Sequence, residues 1–184
     1  MMNIGIILGS TRPGRIGKGV ADWVLEQANK RGDAWYELID LQDFNLPLLD
    51  ENIPAGNGQY EKVHTKKWAE RIAALDGFVF VTAEYNHALP GALKNAIDFI
   101  YGEWNNKAAG IVSYGSAGGV RAAENLRLVM GELQVADVRQ QVILNLATDF
   151  ENYTAFKPHP RHKEELATLL TQVNAWGAAL KTLR

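Results

Sequence analysis

The stretch "NIGIILGSTRPGRIGKGV", residues 3–20, decides the fold of this chain. Its first half is a short apolar run, the pattern of a strand buried on both faces of a parallel sheet. A glycine-rich turn follows, and a segment with helical spacing begins directly after it. Strand, turn and helix in this order predict a phosphate site, because the backbone N–H groups and the helix dipole there favour an anion. The candidate residues of this first turn are Gly9, Ser10, Thr11, Arg12, Arg15, Ile16 and Gly17.

The same alternation of strand and helix continues to the end of the chain. Strands are predicted at Ile4–Leu8, Trp35–Leu41, Gly77–Thr82, Ala108–Tyr114 and Val138–Leu144. Helices are predicted at Ile16–Arg31, Tyr60–Leu75, Ala88–Trp104, Val120–Leu133 and Lys163–Leu183. This order predicts a doubly wound α/β sandwich that forms one domain over residues 1–184. Ligands of such folds bind at the carboxyl ends of the strands, so the turns after the first, third and fourth strands are the places to search.

Composition narrows the classes of function. The chain has 19 basic and 21 acidic side chains and a net charge of -2, which does not favour binding to nucleic acid or to an anionic membrane. It contains no cysteine, which excludes disulfides and thiolate catalysis. Neither a signal peptide nor a membrane span is recognisable, so a cytoplasmic protein is expected.

The first turn does not match the two common nucleotide motifs. Gly9 and Gly14 have the spacing of the nucleoside-triphosphate loop, but Arg15-Ile16 stands where Lys-Ser/Thr is required. The dinucleotide pattern also fails, since position 11 is Thr rather than Gly. What remains is a hydroxyl-rich turn with arginines at a helix N-terminus, which suits a terminal phosphate. A glycine turn with solvated arginines is the structural alternative.

The second turn lies in "TAEYNHALPGALKNAIDFIYGEW", residues 82–104, where Pro90-Gly91 is expected to begin a helix. Its candidate residues are Glu84, Tyr85, Asn86 and His87. An aromatic ring and an amide above the sheet edge suit a flat heteroaromatic ligand. Glu84 and His87 could form an acid–base pair, but Glu84 could equally tie down a neighbouring loop and His87 could be a surface residue.

The third turn lies in "SYGSAGGVRAAENLR", residues 113–127, and its glycines allow a ligand to approach the backbone closely. Its candidate residues are Ser113, Tyr114, Gly115 and Ser116. A hydrolase nucleophile at Ser116 would need Gly at position 114, where this chain has Tyr, so the sequence does not favour an esterase. His159 and His162 flank Pro160 in a polar loop, where a solvated role is expected, and their spacing alone does not indicate a metal site.

Three motifs resemble those of the NADPH-dependent FMN reductase family, the flavodoxin-like group that includes bacterial and yeast quinone, azo and chromate reductases. They are Gly9-Ser10-Thr11-Arg12, then Glu84-Tyr85-Asn86 with Pro90-Gly91 and Leu93-Lys94-Asn95-Ala96-Ile97-Asp98, and finally Ser113-Tyr114-Gly115 with Gly118-Gly119. The resemblance covers Ile4 to about Leu144. It implies a three-layer sandwich whose five-stranded parallel sheet has the order 2-1-3-4-5.

The resemblance also implies a role for each turn. The first turn would hold the FMN phosphate, Glu84 to His87 would line the isoalloxazine ring, and Ser113 to Ser116 would border the ring's other edge. Hydride would pass from NADPH or NADH to flavin N5 and then to a small-molecule acceptor, with no catalytic side chain of the protein. A homodimer or homotetramer with the 88–104 helix at the interface is implied as well.

The sequence departs from the family pattern at three positions. Many members have Ser where this chain has Arg15, Asn where it has Gly17 and Pro where it has Ala83. In those members the Ser and the Asn serve the phosphate. Preference for NADPH over NADH stays open, since Arg15, Lys18 and Arg121 are all candidates for a 2′-phosphate contact.

Two other functions compete with the reductase. A flavodoxin-type electron carrier would be strongly acidic, unlike this chain. A flavin-free protein on the same scaffold is the second alternative, because a fold does not fix a function.

The long connection over residues 41–59 is expected to cover a site or a partner subunit. Residues 149–162 have no predicted role.

Overall fold

Five parallel strands form the central sheet in the order β2-β1-β3-β4-β5, in a computed structural model that describes residues 1–184. The strands are β1 (Met2–Leu8), β2 (Ala34–Asp40), β3 (Gly77–Ala83), β4 (Lys107–Gly115) and β5 (Val135–Asn145). The strand order reverses between β1 and β3, which is the switch point where ligands of doubly wound folds bind. The sheet order implied by the resemblance is confirmed.

Helices cover both faces of the sheet. They are α1 (Gly17–Asn29), α2 (Val63–Ala73), α3 (Gly91–Asp98), α4 (Val120–Glu132) and α5 (His162–Leu180). One hydrophobic cluster lies beneath α1 and α5, and the other lies beneath α2, α3 and α4. The three-layer sandwich is therefore confirmed.

The apolar run of β1 shows why the strand predictions succeed. Ile4 and Ile6 belong to the cluster beneath α1 and α5, whereas Ile7 belongs to the opposite cluster. Successive side chains of a strand point to opposite faces, so a strand covered on both sides must be apolar throughout.

Helix α3 is shorter than predicted, since it covers Gly91–Asp98 rather than 88–104. Ala88 pairs with Tyr85 across a two-residue loop of Asn86 and His87, whose φ angles of 51° and 66° are left-handed, so residue 88 belongs to a turn and not to the helix. Pro90 then caps the helix in an extended conformation. Beyond Asp98 the apolar residues fold into a turn, and the buried Trp104 indole N–H donates to the Ile97 carbonyl at 3.3 Å. Burial of that turn produced the misleading helical pattern.

Helical spacing over residues 60–75 predicts one stripe that contains Val63, Lys67, Ile72 and Leu75. Ile72 and Leu75 are buried as predicted, but Val63 is 82% exposed and Lys67 is exposed as well. Trp68 is fully buried instead, and its indole N–H donates to the Ala96 carbonyl at 2.7 Å. A tryptophan buries the largest apolar area of the segment, so it sets the orientation of the helix.

Residues 149–162 form a small hairpin that packs on α1. Its strands are β6 (Phe150–Glu151) and β7 (Ala155–Phe156), and the Phe156 ring meets Trp23 at a centroid distance of 5.6 Å. The expectation of a solvated His162 is wrong, because His162 is 1% exposed. Its ring nitrogens lie 2.9 Å from Asp149 Oδ1 and 2.6 Å from Glu165 Oε2. These contacts fasten the hairpin to the start of α5.

The long connection over residues 41–59 lies against α3. Asn95 donates to the Pro47 carbonyl at 2.7 Å and accepts from the Leu49 N–H at 3.0 Å. Together with Thr11 and α3, the beginning of this connection lines a cavity of about 280 Å³. None of the helices combines the length and the apolar composition needed to cross a bilayer.

Candidate functional site

The three turns identified from the sequence meet at the carboxyl edge of neighbouring strands β1, β3 and β4. The first and second turns are joined by a hydrogen bond of 2.7 Å between Ser10 Oγ and Tyr85 Oη. The second and third are joined by an ion pair between Glu84 and Arg121, the second residue of α4. The sheet therefore assembles one continuous site from residues far apart in sequence.

The first turn ends at a helix N-terminus that no side chain caps. Ile16 occupies the cap position without a side-chain hydrogen bond, and the first turn of α1 contains no acidic residue. The N–H groups at a helix start need acceptors, and here they carry the positive end of the dipole. Arg12 is exposed beside them. This arrangement suits an anion.

Arg15 is held by protein groups rather than directed outward. Its guanidinium donates to Asp40 Oδ2 at 2.5 Å and to the Ser10 carbonyl at 2.7 Å, and only 11% of the side chain is exposed. Arg15 thus braces the first turn against the end of β2, and the Asp40 carboxylate offsets its positive charge. Asp40 was not identified from the sequence, because its partner lies 25 residues away.

The second turn is a tight hairpin built on left-handed residues. The Tyr85 and Ala88 backbones exchange hydrogen bonds of 3.0 and 3.1 Å, and Asn86 and His87 form the two-residue loop with positive φ. This is the geometry of a type I′ turn, which glycine usually occupies. Left-handed non-glycine residues cost free energy and cluster at functional sites. The side chains of Tyr85, Asn86 and His87 are exposed at this tip.

Glu84 serves as a cap for a distant helix. Its side chain is 7% exposed and accepts from the Arg121 backbone N–H at 3.1 Å and from Arg121 Nε at 2.6 Å. Helix α4 has Gly119 at its cap position, which offers no side chain of its own. Burial raises the pKa of Glu84, but the hydrogen bonds from Arg121 and the Ala122 N–H outweigh it and hold the pKa below its usual value. Glu84 is therefore ionised at neutral pH, and both of its carboxylate oxygens accept hydrogen bonds from Arg121, as expected of a structural contact.

His87 shares the same arginine. Its Nε2 lies 2.9 Å from Arg121 Nη1, and a guanidinium only donates, so Nε2 is the acceptor in this contact. Arg121 thus links the hairpin tip to the start of α4. Of the three candidates for a 2′-phosphate contact, Arg121 is the one that lies at the tip of the second turn.

The third turn offers backbone rather than side chains to a ligand. Ser113 is fully buried, donating to the Gly118 carbonyl at 2.7 Å and accepting from Gln141 at 2.9 Å. Gly119 has φ +70°, and a Cβ there would lie 2.8 Å from the Tyr114 nitrogen. Ser116 is exposed, and its carbonyl is held by Asn145 at 2.8 Å. Apart from the exposed Ser116 side chain, any ring contact from this turn therefore comes from its peptide groups.

Tyr114 points away from the third turn. Its side chain is 4% exposed and belongs to the core cluster beneath α1. The hydroxyl lies against Gly17 at the start of α1, and it has no hydrogen-bond partner. A buried hydroxyl without a partner beside an uncapped helix N-terminus fits a site that takes a phosphate.

A parallel sheet of order 2-1-3-4-5, with an uncapped helix start after β1 and an aromatic-bearing turn after β3, defines a flavodoxin-like protein of the flavin-binding class. The family model described as NADPH-dependent FMN reductase matches residues 2–149, and the chain belongs to that family.

Its relatives agree with this assignment. The chain is 42% identical over 146 residues to an NAD(P)H-dependent FMN reductase of Schizosaccharomyces pombe, covering 78% of this chain and 73% of the relative. It is 39% identical over 165 residues to the NAD(P)H-dependent FMN reductase ntnL of a Nectria species, covering 84% and 81%. Other relatives carry the names of quinone reductases and an azoreductase.

Solved structures confirm the fold. The flavoenzyme NAD(P)H:(acceptor) oxidoreductase FerB of Paracoccus denitrificans superimposes with a TM-score of 0.72 at 19% identity, covering 99% of this chain and 98% of that one. The chain is thus an enzyme of the NAD(P)H-dependent FMN reductase type, with FMN as its cofactor and NAD(P)H as its electron donor.

Proposed function

We propose that this chain passes two electrons from NAD(P)H, through FMN bound across the three turns, to a quinone, an azo compound, free flavin or a similar small acceptor. The observation that carries the proposal is the uncapped N-terminus of α1 beside the exposed Tyr85–Ala88 hairpin on the neighbouring strand. FMN supplies the hydride chemistry when it is bound. The protein has to bind the cofactor, orient it and leave one face open.

Each turn has a separate task in this proposal. Ser10, Arg12 and the start of α1 hold the phosphate, and Arg15, which is paired with Asp40, keeps the turn in place. The hairpin tip supports the flat ring, and the peptide groups of the third turn meet its other edge. The proposed FMN-binding residues are Gly9, Ser10, Thr11, Arg12, Arg15, Ile16, Gly17, Glu84, Tyr85, Asn86, His87, Ser113, Tyr114, Gly115 and Ser116.

Glu84 contributes through position rather than through proton transfer. It holds the second turn against the N-terminus of α4, so the two turns that border the ring keep a fixed separation. A rigid supporting contact of this kind preserves the orientation of a bound cofactor.

We also propose that the chain forms a cytoplasmic homodimer or homotetramer, with the 88–104 segment in the contact. The exposed leucines beside α3 support this assembly. Leu48 is 85% exposed and Leu49 is 48% exposed, and Asn95 holds their loop against the helix. Exposed apolar side chains grouped on one face are typical of subunit contacts. Sedimentation of the wild type and of Leu48→Asp tests this, since a monomeric wild type would contradict it.

A turnover assay tests the electron transfer. The FMN-loaded protein is mixed anaerobically with NADPH or NADH and a benzoquinone, and consumption of both substrates is followed. A reductase consumes them in a 1:1 ratio, as expected for a two-electron transfer to a quinone. An electron carrier would bind FMN but would not oxidise either nucleotide, and that outcome would overturn the proposal.

A further inference from the structure

The hydroxyl of Tyr114 has no partner in a structure that otherwise satisfies nearly all of its buried polar side chains. The side chain is 4% exposed, and the hydroxyl itself is closed off from solvent. A buried donor without an acceptor destabilises a fold, so such a group calls for an explanation.

Gly17 creates the space that the hydroxyl occupies. A Cβ on residue 17 would lie 2.2 Å from Tyr114 Oη and 2.8 Å from Cζ, so any other residue would displace the ring. Gly17 is also the first residue of α1. The absence of a side chain at this position thus brings a tyrosine hydroxyl directly to the N-terminus of an uncapped helix.

The groups around this hydroxyl belong to the first turn. Burial raises the pKa of Tyr114, and the nearby Tyr85 raises it further, whereas the charges of Arg15 and Arg12 lower it without cancelling the rise. The Ser10 hydroxyl also lies near enough to lower the pKa, but it does not reach hydrogen-bonding geometry with Tyr114 Oη. The phenol therefore stays protonated and is a hydrogen-bond donor. A donor near Arg12 and a helix N-terminus is suited to an anionic acceptor, although Asp40 offsets the charge of Arg15.

Tyr85 is hydrogen-bonded to the first turn. Its hydroxyl bonds Ser10 Oγ at 2.7 Å, and its side chain is 36% exposed at the edge of the hairpin. A side chain with that much exposure can change rotamer without disturbing the core. Rotation of Tyr85 away from Ser10 would open the first turn to an anion from the solvent side.

We propose that Tyr114 Oη donates a hydrogen bond to the phosphate of FMN from beneath the first turn, and that Gly17 is the residue that admits it. The inference rests on the proposed function, and it moves the role of Tyr114 from the edge of the ring to the phosphate. The hydroxyl groups of Ser10 and Tyr114 would then both lie beneath that phosphate.

The test compares FMN with riboflavin, which has the same ring system and ribityl chain but no phosphate. Flavin-free wild type and Tyr114→Phe are titrated with each flavin by fluorescence, and their urea unfolding is measured without flavin. Loss of one hydrogen bond to a charged group should weaken FMN binding by about 10- to 100-fold. Riboflavin binding should not change. The unfolding free energy should be equal or higher, since the variant removes an unpaired polar group.

Tyr101→Phe is the matched control, because the Tyr101 hydroxyl donates to the Glu132 carbonyl at the far end of α4. It should leave the binding of both flavins unchanged. Equal weakening of FMN and riboflavin by Tyr114→Phe would overturn the inference, as would no change in either. A wild-type chain that binds neither flavin would instead refute the proposed function, whereas normal FMN binding by Tyr114→Phe would refute only the role of Tyr114.

Discussion

Replacing Glu84 with alanine should destabilise the chain although Glu84 lies in a loop. Its carboxylate accepts hydrogen bonds from the first N–H groups of α4 and from the Arg121 side chain. Gly119 provides no cap of its own. The variant therefore leaves the N-terminus of α4 without an acceptor and Arg121 without its carboxylate.

The magnitude follows from these contacts. Loss of a helix N-cap costs about 0.5–2 kcal/mol. The ion pair adds about 0.2–1 kcal/mol, since Arg121 is 43% exposed and solvent screens it. A total near 2 kcal/mol corresponds to a decrease in Tm of about 4–8 °C for a chain of this size. Glu84→Gln keeps an acceptor oxygen but loses the charge, so about half of this loss is expected.

Urea unfolding of the flavin-free protein, followed by circular dichroism between pH 4 and 8, measures the effect. The folded-state pKa of Glu84 lies below the usual 4.5. Its stabilisation is therefore fully present above about pH 4.5 and is lost as the pH falls through the folded-state value. The difference between wild type and Glu84→Gln should be constant from pH 6 to 8 and should shrink toward pH 4.

Glu124→Gln is the matched control. Glu124 also lies on α4, but its side chain is 73% exposed, so its replacement should change the unfolding free energy by less than about 0.5 kcal/mol. A Glu84→Ala variant as stable as this control would refute the capping argument. So would a difference between wild type and Glu84→Gln that does not depend on pH.

Three further changes test other parts of the structure. Arg12→Ala should weaken FMN binding about 10-fold or more through loss of a charge-assisted contact, and an unchanged Kd in a titration would contradict the phosphate role of the first turn. Gly119→Ala should lower the unfolding free energy by about 1–3 kcal/mol because of its φ of +70°, whereas Gly131→Ala, with open space around it, should not. Burial lowers the pKa of Lys107 to about 8 from 10.5. Stability should therefore rise between those pH values, and Lys107→Met should flatten the rise.

The strands were predictable because a continuous apolar run has one physical explanation in this fold. β1, β3 and β4 are covered on both faces, so the run itself marks the element. The ends of the helices were harder to predict. Phe99, Ile100 and Trp104 continue the apolar pattern of α3 because they are buried in a turn, not because the helix continues. The left-handed turn at Asn86 and His87 could not be predicted either, because neither position is a glycine, the residue that usually marks this conformation.

In the candidate site, the turns could be predicted but the partners of their side chains could not. Arg15 meets Asp40 and Glu84 meets Arg121, pairs 25 and 37 residues apart that only the sheet order brings together. The direction of Tyr114 had a usable signal. Side chains two residues apart on a strand share a face, and Val112 lies in the cluster beneath α1. That alternation indicates a tyrosine directed toward the first turn.

An anaerobic titration of the FMN-loaded protein with NADPH, and separately with NADH, tests the central claim most directly. The absorbance of the flavin is followed to the end point. The account predicts that one equivalent of the preferred nucleotide bleaches the flavin band completely, with no lasting one-electron form. A flavin band that neither nucleotide bleaches would contradict the assignment as a reductase.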